Sequence, residues 1–144
     1  MTFLALDPHA FVSAAPRTLR AESAGMSPAE FYDRYCQDSG PVRLSDWVAV
    51  GGRAAAYTAT LEFADRLRTV ATIGSPVAAL TSALYEEGFP VEILQFHQRR
   101  TSEGTATFVQ CEVNGKRGWG AALADDSAES SARAMISGIN RLGS

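Results

Sequence analysis

Histidine and cysteine are scarce in this chain of 144 residues, two of each, and the motifs that would put them to chemical use are missing. Cys36 and Cys111 stand far apart with no CxxC or Cys/His spacing, which leaves little support for a zinc site or a disulfide framework and reads as two reduced, partly buried thiols. There is no GxSxG elbow, no P-loop, no HExxH and no GxGxxG after a strand, so hydrolase, zincin and nucleotide chemistry lack their usual anchors. No metal and no cofactor is expected. An excess of positive charge is absent too: a net charge of -3 offers no basic surface for a phosphate backbone, so nucleic acid is not an expected partner. Long apolar runs are also lacking. Met1 to Leu6 is interrupted by Asp7, Pro8 and His9, and nothing approaches the ~20 apolar residues of a membrane span. A cytoplasmic protein with no membrane partner is expected. The length excludes an ordinary (β/α)8 enzyme barrel, which takes roughly 250 residues, and allows one domain with a real core.

What is present is a pattern stated twice. Leu61 to Arg66 runs through Val70 to Ile73 into Gly74-Ser75-Pro76 and an apolar-periodic stretch, Val77 to Leu84; Cys111 to Lys116 runs through Trp119 to Leu123 into Asp125-Asp126-Ser127 and Ala128 to Leu142. Each copy reads strand, tight turn, strand, short polar loop, helix. The doubling predicts an α+β fold of two pseudo-symmetric strand-strand-helix repeats, an antiparallel sheet with its helices packed on one face. Residues 1–25 show no clean period and read as an extended N-terminal arm, with the domain proper over 26–144.

Ser27-Pro28-Ala29-Glu30 is a capping box with proline at the first helical position, predicting a lead helix over 27–37. The first repeat occupies about 42–88. Val42, Leu44, Val48 and Val50 share one parity, broken by Asp46, Gly51-Gly52 makes a turn, Tyr57, Ala59, Leu61 and Phe63 alternate, and Leu67 to Ile73 returns. Ser75 is a natural N-cap for the helix that carries Val77, Leu80 and Leu84 and closes at Gly88. The second repeat occupies about 91–143, with strands Val91 to Gln98, Thr105 to Val113 and Lys116 to Leu123. Asn114-Gly115 is the strongest hairpin signal in the chain, because both residues accept positive φ in a type I′ turn. The last helix presents Ala132, Met135, Ile139 and Leu142.

Two loops that each lead into a helix N-terminus are the candidate ligand-binding elements, since exposed backbone N–H groups at the positive end of a helix dipole receive carboxylates. The candidate site therefore comprises Ile73, Gly74, Ser75, Pro76, Val77, Phe96, His97, Leu123, Asp125, Asp126 and Ser127. Each has a plain structural alternative. Gly74-Ser75-Pro76 also fits a strand-to-helix turn. Asp125 and Asp126 suit helix capping as well as a ligand ammonium group. His97 is able to bind a carboxylate or act as a base, or simply to hydrogen-bond within the fold. In Gly118-Trp119-Gly120 a strand packs one large aromatic while glycines admit a neighbouring backbone.

The order of Met26-Ser27-Pro28, Pro41-Val42-Arg43-Leu44, Gly74-Ser75-Pro76-Val77-Ala78-Ala79-Leu80, Gly88-Phe89-Pro90-Val91, Gly118-Trp119-Gly120 and Asn140-Arg141-Leu142 resembles the C-terminal regulatory region of bacterial 2-isopropylmalate synthase. The resemblance covers everything after the arm. It implies paired strand-strand-helix modules, a homodimer, and a site for L-leucine as feedback inhibitor of leucine biosynthesis. It also implies a non-catalytic module, since the synthase works through a metal-dependent barrel with a His-x-His motif for which this chain has neither length nor residues. Met1 and an arm unlike the synthase linker suggest a stand-alone relative that partners a full-length synthase. Where the family typically reads Gly-x-Gly-Asn-Gly-Pro, this chain reads Ala71 to Pro76, and only the proline stays in register. Gln95-Phe96 replaces the family's Asp-Tyr. These departures predict a reshaped pocket and weak leucine binding.

Three functions compete on these residues. The first is a homodimeric module that binds a small amino-acid-like or carboxylate metabolite. The second is a repurposed enzyme using His97 with Asp125 or Asp126 for acid-base work. The third is a structural dimer with a filled pocket.

Overall fold

A computed structural model describes residues 8–37, 40–50, 56–73 and 75–142. The Gly51-Gly52 turn, Gly74 and the apolar start of the chain lie outside the described residues. From Arg43 onward the chain runs twice through three strands and a helix: β1 (Arg43–Val50), β2 (Ala56–Glu62), β3 (Leu67–Ile73), α4 (Pro76–Glu86), then β4 (Val91–Thr101), β5 (Gly104–Val113), β6 (Lys116–Ala124), α5 (Ser127–Leu142). Three helices precede them: α1 (Pro8–Ser13), α2 (Arg17–Glu22) and α3 (Pro28–Tyr35). The fold is α+β, with strand-strand-strand-helix as its repeated unit.

The single sheet expected from sequence is two sheets. Strands β1-β2-β3 form one antiparallel sheet and β4-β5-β6 the other. The helices α4 and α5 share one core with the inner faces of both, where Leu44, Ala59 and Leu61 from the first sheet meet Leu80 and Leu84 of α4, Met135 and Ile139 of α5, and Val109, Cys111 and Val113 of β5. That arrangement explains why α5 is buried on so many sides. Its small residues, among them Ser130, Ala134, Ser137 and Gly138, allow a helix to be surrounded.

Local chemistry sets the boundaries. Ser27 Oγ accepts from Glu30 N at 3.2 Å while Glu30 Oε1 accepts from Ser27 N at 2.8 Å, completing the capping box that starts α3. Asn114 and Gly115 take φ of 51° and 83°, the left-handed pair that a type I′ hairpin demands. Gly88, at φ 93°, ends α4. Arg66 and Arg68 fasten the β3 hairpin to the end of α4 through Glu86 and Glu87.

Two further sequence expectations are corrected. The shared parity of Val42, Leu44, Val48 and Val50 fails because the register slips between Leu44 and Asp46. This bulge turns Trp47 toward the core and leaves Val48 47% exposed. A similar slip falls between Ile93 and Gln95 in β4, which also runs on to Thr101, past Gln98.

The second correction concerns residues 1–25. Their described part is not extended but forms α1 and α2, which lie with α3 over the outer face of β4-β5-β6. Phe11 stacks on Phe108 with ring centroids 5.3 Å apart, and Leu19, Phe31, Tyr35 and Trp119 complete a second core. Six-residue helices are too short to show a clean period, and they gain their stability from this packing.

Candidate functional site

The two repeats meet at a cleft of about 300 Å³ lined by both helix starts and by β2 and β4. Ser75, Pro76 and Val77 come from the first repeat, and Phe96, Gln98, Ser127 and Ser131 from the second. Five of the residues expected from sequence are thereby brought together: Ser75, Pro76, Val77, Phe96 and Ser127. Ser75 acts as N-cap, its Oγ accepting from Ala78 N at 3.4 Å.

Of the remaining expected site residues, Gly74 lies outside the described residues and the others fall elsewhere. Asp126 caps α5, its Oδ2 accepting from Glu129 N at 3.0 Å. Asp125 stands beside the cleft in an adjoining hollow with Arg100, whose Nη1 donates to the Asp125 carbonyl at 2.7 Å. Ile73 lies 77% exposed at the end of β3. His97 and Leu123 sit on the other face of their sheet. Adjacent residues of a strand point to opposite sides, so once Phe96 faces the cleft, His97 faces α1. Its Nε2 hydrogen-bonds the carbonyl of Ala14 at 3.1 Å and its ring lies 6.1 Å from that of Phe108. Leu123 likewise packs with the aromatic cluster under the N-terminal helices. The pairing of His97 with Asp125 or Asp126 for acid-base chemistry is therefore not assembled.

Gln98, Tyr57, Ala128 and Ser131 are the cleft residues that the sequence reading missed. Gln98 Nε2 points at Thr107 Oγ1, the Ser127 carbonyl and Ser131 Oγ, at 2.8, 3.0 and 3.0 Å, tying β4 to the first turn of α5. Its position two residues after Phe96 was the available signal, since the period of a strand returns it to the same face. Tyr57 stacks on Trp47 with centroids 4.9 Å apart, which fixes the opposite wall. Behind α5, Ser130 Oγ donates to the Thr105 carbonyl at 2.8 Å and lies 2.7 Å from Thr107 Oγ1, so the helix start is held by a buried hydroxyl network.

A second hollow, of about 350 Å³, lies between α3, β1, β6 and α5 and shares no lining residue with the cleft. Leu123 lines its edge. Among the described residues no cluster of three or more His, Cys, Asp or Glu is placed to hold a metal ion. No described helix is long and apolar enough to cross a membrane.

Fold and cleft together define a duplicated α+β domain in which two strand-strand-strand-helix units meet at their helix starts. The chain belongs to the family described as the LeuA allosteric (dimerisation) domain, which it matches over residues 28–143. It is similar to the 2-isopropylmalate synthase of Mycobacterium ulcerans, with 29% identity over 133 residues, covering 83% of this chain and 24% of that protein. The 2-isopropylmalate synthase of Clavibacter michiganensis is 32% identical over 95 residues, covering 62% of this chain and 16% of that protein. That of Corynebacterium glutamicum (strain R) is 36% identical over 70 residues, with 46% and 11% covered. The chain thus spans less than a quarter of the length of these relatives. The family match begins at Pro28, so α1 and α2 lie outside it.

Proposed function

We propose that this chain is a non-catalytic, cytoplasmic, homodimeric regulatory module that binds a small amino-acid-like or carboxylate metabolite and passes its presence to a partner, a 2-isopropylmalate synthase being the partner its family suggests. The observation that carries this reading is the cleft in which the starts of α4 and α5 converge. Helix starts present backbone N–H groups to an anion, and Phe96, Val77 and Pro76 offer a short side chain an apolar wall. A ligand in contact with both repeats is sensitive to how they sit together, and its differential affinity for two arrangements is the coupling, typically ~1 to 3 kcal/mol.

Calorimetric titration with a panel of small carboxylates and amino acids tests this, alongside Val77→Trp, which fills the cleft. Saturable binding that disappears in the variant is expected, with stabilisation of ~2.7 kcal/mol at a hundredfold excess over Kd. Binding that survives the filled cleft, or no binding across the panel, overturns it. Sedimentation at micromolar concentration tests the dimer, and a monomer there removes it.

A further inference from the structure

We infer that the hollow between α3, β1, β6 and α5 is a second binding site, for a small monocarboxylate with a short apolar body. Ser137 is the first reason. It is only 5% exposed, it lines the hollow, and its hydroxyl makes no hydrogen bond among the described residues. A buried hydroxyl that makes no hydrogen bond carries an uncompensated desolvation cost, which a group arriving in the hollow to hydrogen-bond it recovers.

Charge is the second reason. Arg133 stands one turn before Ser137 on α5, on the same face, and lines the same hollow. Its Nε donates to Glu129 at 2.7 Å, while its two terminal nitrogens have no acceptor among the described residues. Across the opening, Arg43 of β1 is held by Glu62 only at 3.5 Å. Among the described residues no carboxylate lines the hollow, so these residues offer cationic donors for an anion and no acid to pair with an ammonium group. Guanidinium groups match a carboxylate through paired N–H donors.

The floor is the third reason. Leu44, Ala121 and Ile136 give an apolar base, and a volume of about 350 Å³ admits a ligand of a few carbons. A zwitterionic amino acid is disfavoured by the same count of charges, which separates this site from the cleft at the helix starts in ligand class as well as in place.

Amide chemical-shift titration of the isotope-labelled chain with butyrate, butyramide and butylammonium tests the assignment. Butyrate is expected to shift Ala121, Ala122 and Ser137 saturably and to bind at least tenfold more tightly than butyramide, with no shifts from butylammonium. Arg133→Gln is expected to erase the difference between acid and amide, and Ser137→Ala to weaken butyrate severalfold. The cleft-filling Val77→Trp is expected to leave butyrate binding here unchanged. Shifts confined to Ser75, Val77 and Ser127, equal affinity for acid and amide, or an acid preference that survives Arg133→Gln would each overturn the proposal, as would a titration that never saturates.

Discussion

Gly120 of β6 and Gly138 of α5 lie back to back: a Cβ added at Gly120 would come within 2.7 Å of the Gly138 Cα and closer still to its nitrogen and to the Ala134 carbonyl. Helix and strand are in backbone contact there, and α5 owes its central position to it. The Gly-Trp-Gly signature serves this approach, with Trp119 turned to the opposite face and buried under the N-terminal helices.

Gly120→Ala is expected to destabilise the fold by about 3 kcal/mol, because fixed backbone rather than a mobile side chain occupies the space. Gly138→Ala meets Cys111 Sγ at 2.6 Å, one buried side-chain atom that must shift, so its smaller clash is offset in part by up to about 1 kcal/mol of helix propensity. Urea midpoints should therefore rank the two variants clearly. Equal midpoints would show that α5 slides off β6 at little cost.

Asn140 is the second fastening of α5. Its Oδ1 accepts from Val42 N and its Nδ2 donates to the Gln37 carbonyl, both at 3.0 Å, joining the end of the last helix to the entry of the first strand. Asn140→Leu leaves a buried backbone N–H unsatisfied, and a loss of about 2 to 3 kcal/mol is expected in denaturant unfolding. A loss below about 0.5 kcal/mol would mean that water replaces the side chain.

The N-terminal helices make a prediction independent of the family. Phe11 is fully buried against Phe31, Tyr32 and Phe108, so Phe11→Ala is expected to cost about 3 to 5 kcal/mol. Thermal unfolding followed by tryptophan fluorescence in a Trp47→Phe background reads this, since the remaining indole, Trp119, lies in the same cluster. An unchanged melting temperature would make the cap dispensable.

Burial pushes the Cys111 thiol from 9.0 up to about 11, against a smaller downward pull from Arg141. A raised folded value favours the neutral thiol. The stability this contributes is full below pH 9 and falls as the pH climbs from there toward 11, by at most about 1.4 kcal/mol per pH unit. Comparing unfolding free energy against pH for wild type and Cys111→Ala isolates that slope. In the native protein at pH 8, half-exposed Cys36 is expected to react with a thiol reagent well before Cys111.

Leucine affinity provides the fifth test. By the resemblance, Ala71, Ile73 and Ser75 stand where the family typically has glycine, and Ser75 uses its side chain to cap α4. Weak leucine binding is expected in wild type and tighter binding in Ser75→Gly, whereas Ile73→Gly, outside the cleft, is expected to leave affinity unchanged, all measured by calorimetry. Equal affinities of wild type and Ser75→Gly would show that the Ser75 side chain does not shape the cleft.

Much of the architecture was legible in the sequence because its signals are local. Capping at Ser27 and Ser75, the Asn114-Gly115 turn and the alternation of Tyr57 to Phe63 each need only a few neighbouring residues. The bulge at Ser45 left one sign, Asp46 breaking the apolar parity, but a lone polar residue does not say that the register slips there and flips Val48 outward. Nor was the split into two sheets, because parity identifies the buried face of a strand without saying which sheet it joins. In the candidate site, Ser75 to Val77, Phe96 and Ser127 come together because each stands at a helix start or on the cleft-facing parity. His97 and Leu123 were grouped with them by proximity along the chain, which a strand converts into opposite faces.

The bulges in β1 and β4 fall near the start of the strand that opens each repeat, and both strands are outer strands of their sheets. A kinked border presents its free amides out of step with the regular spacing that an incoming strand requires. Each sheet thus has one border poorly suited to templating strand-to-strand growth. For a chain so rich in β structure, this is a built-in resistance to aggregation.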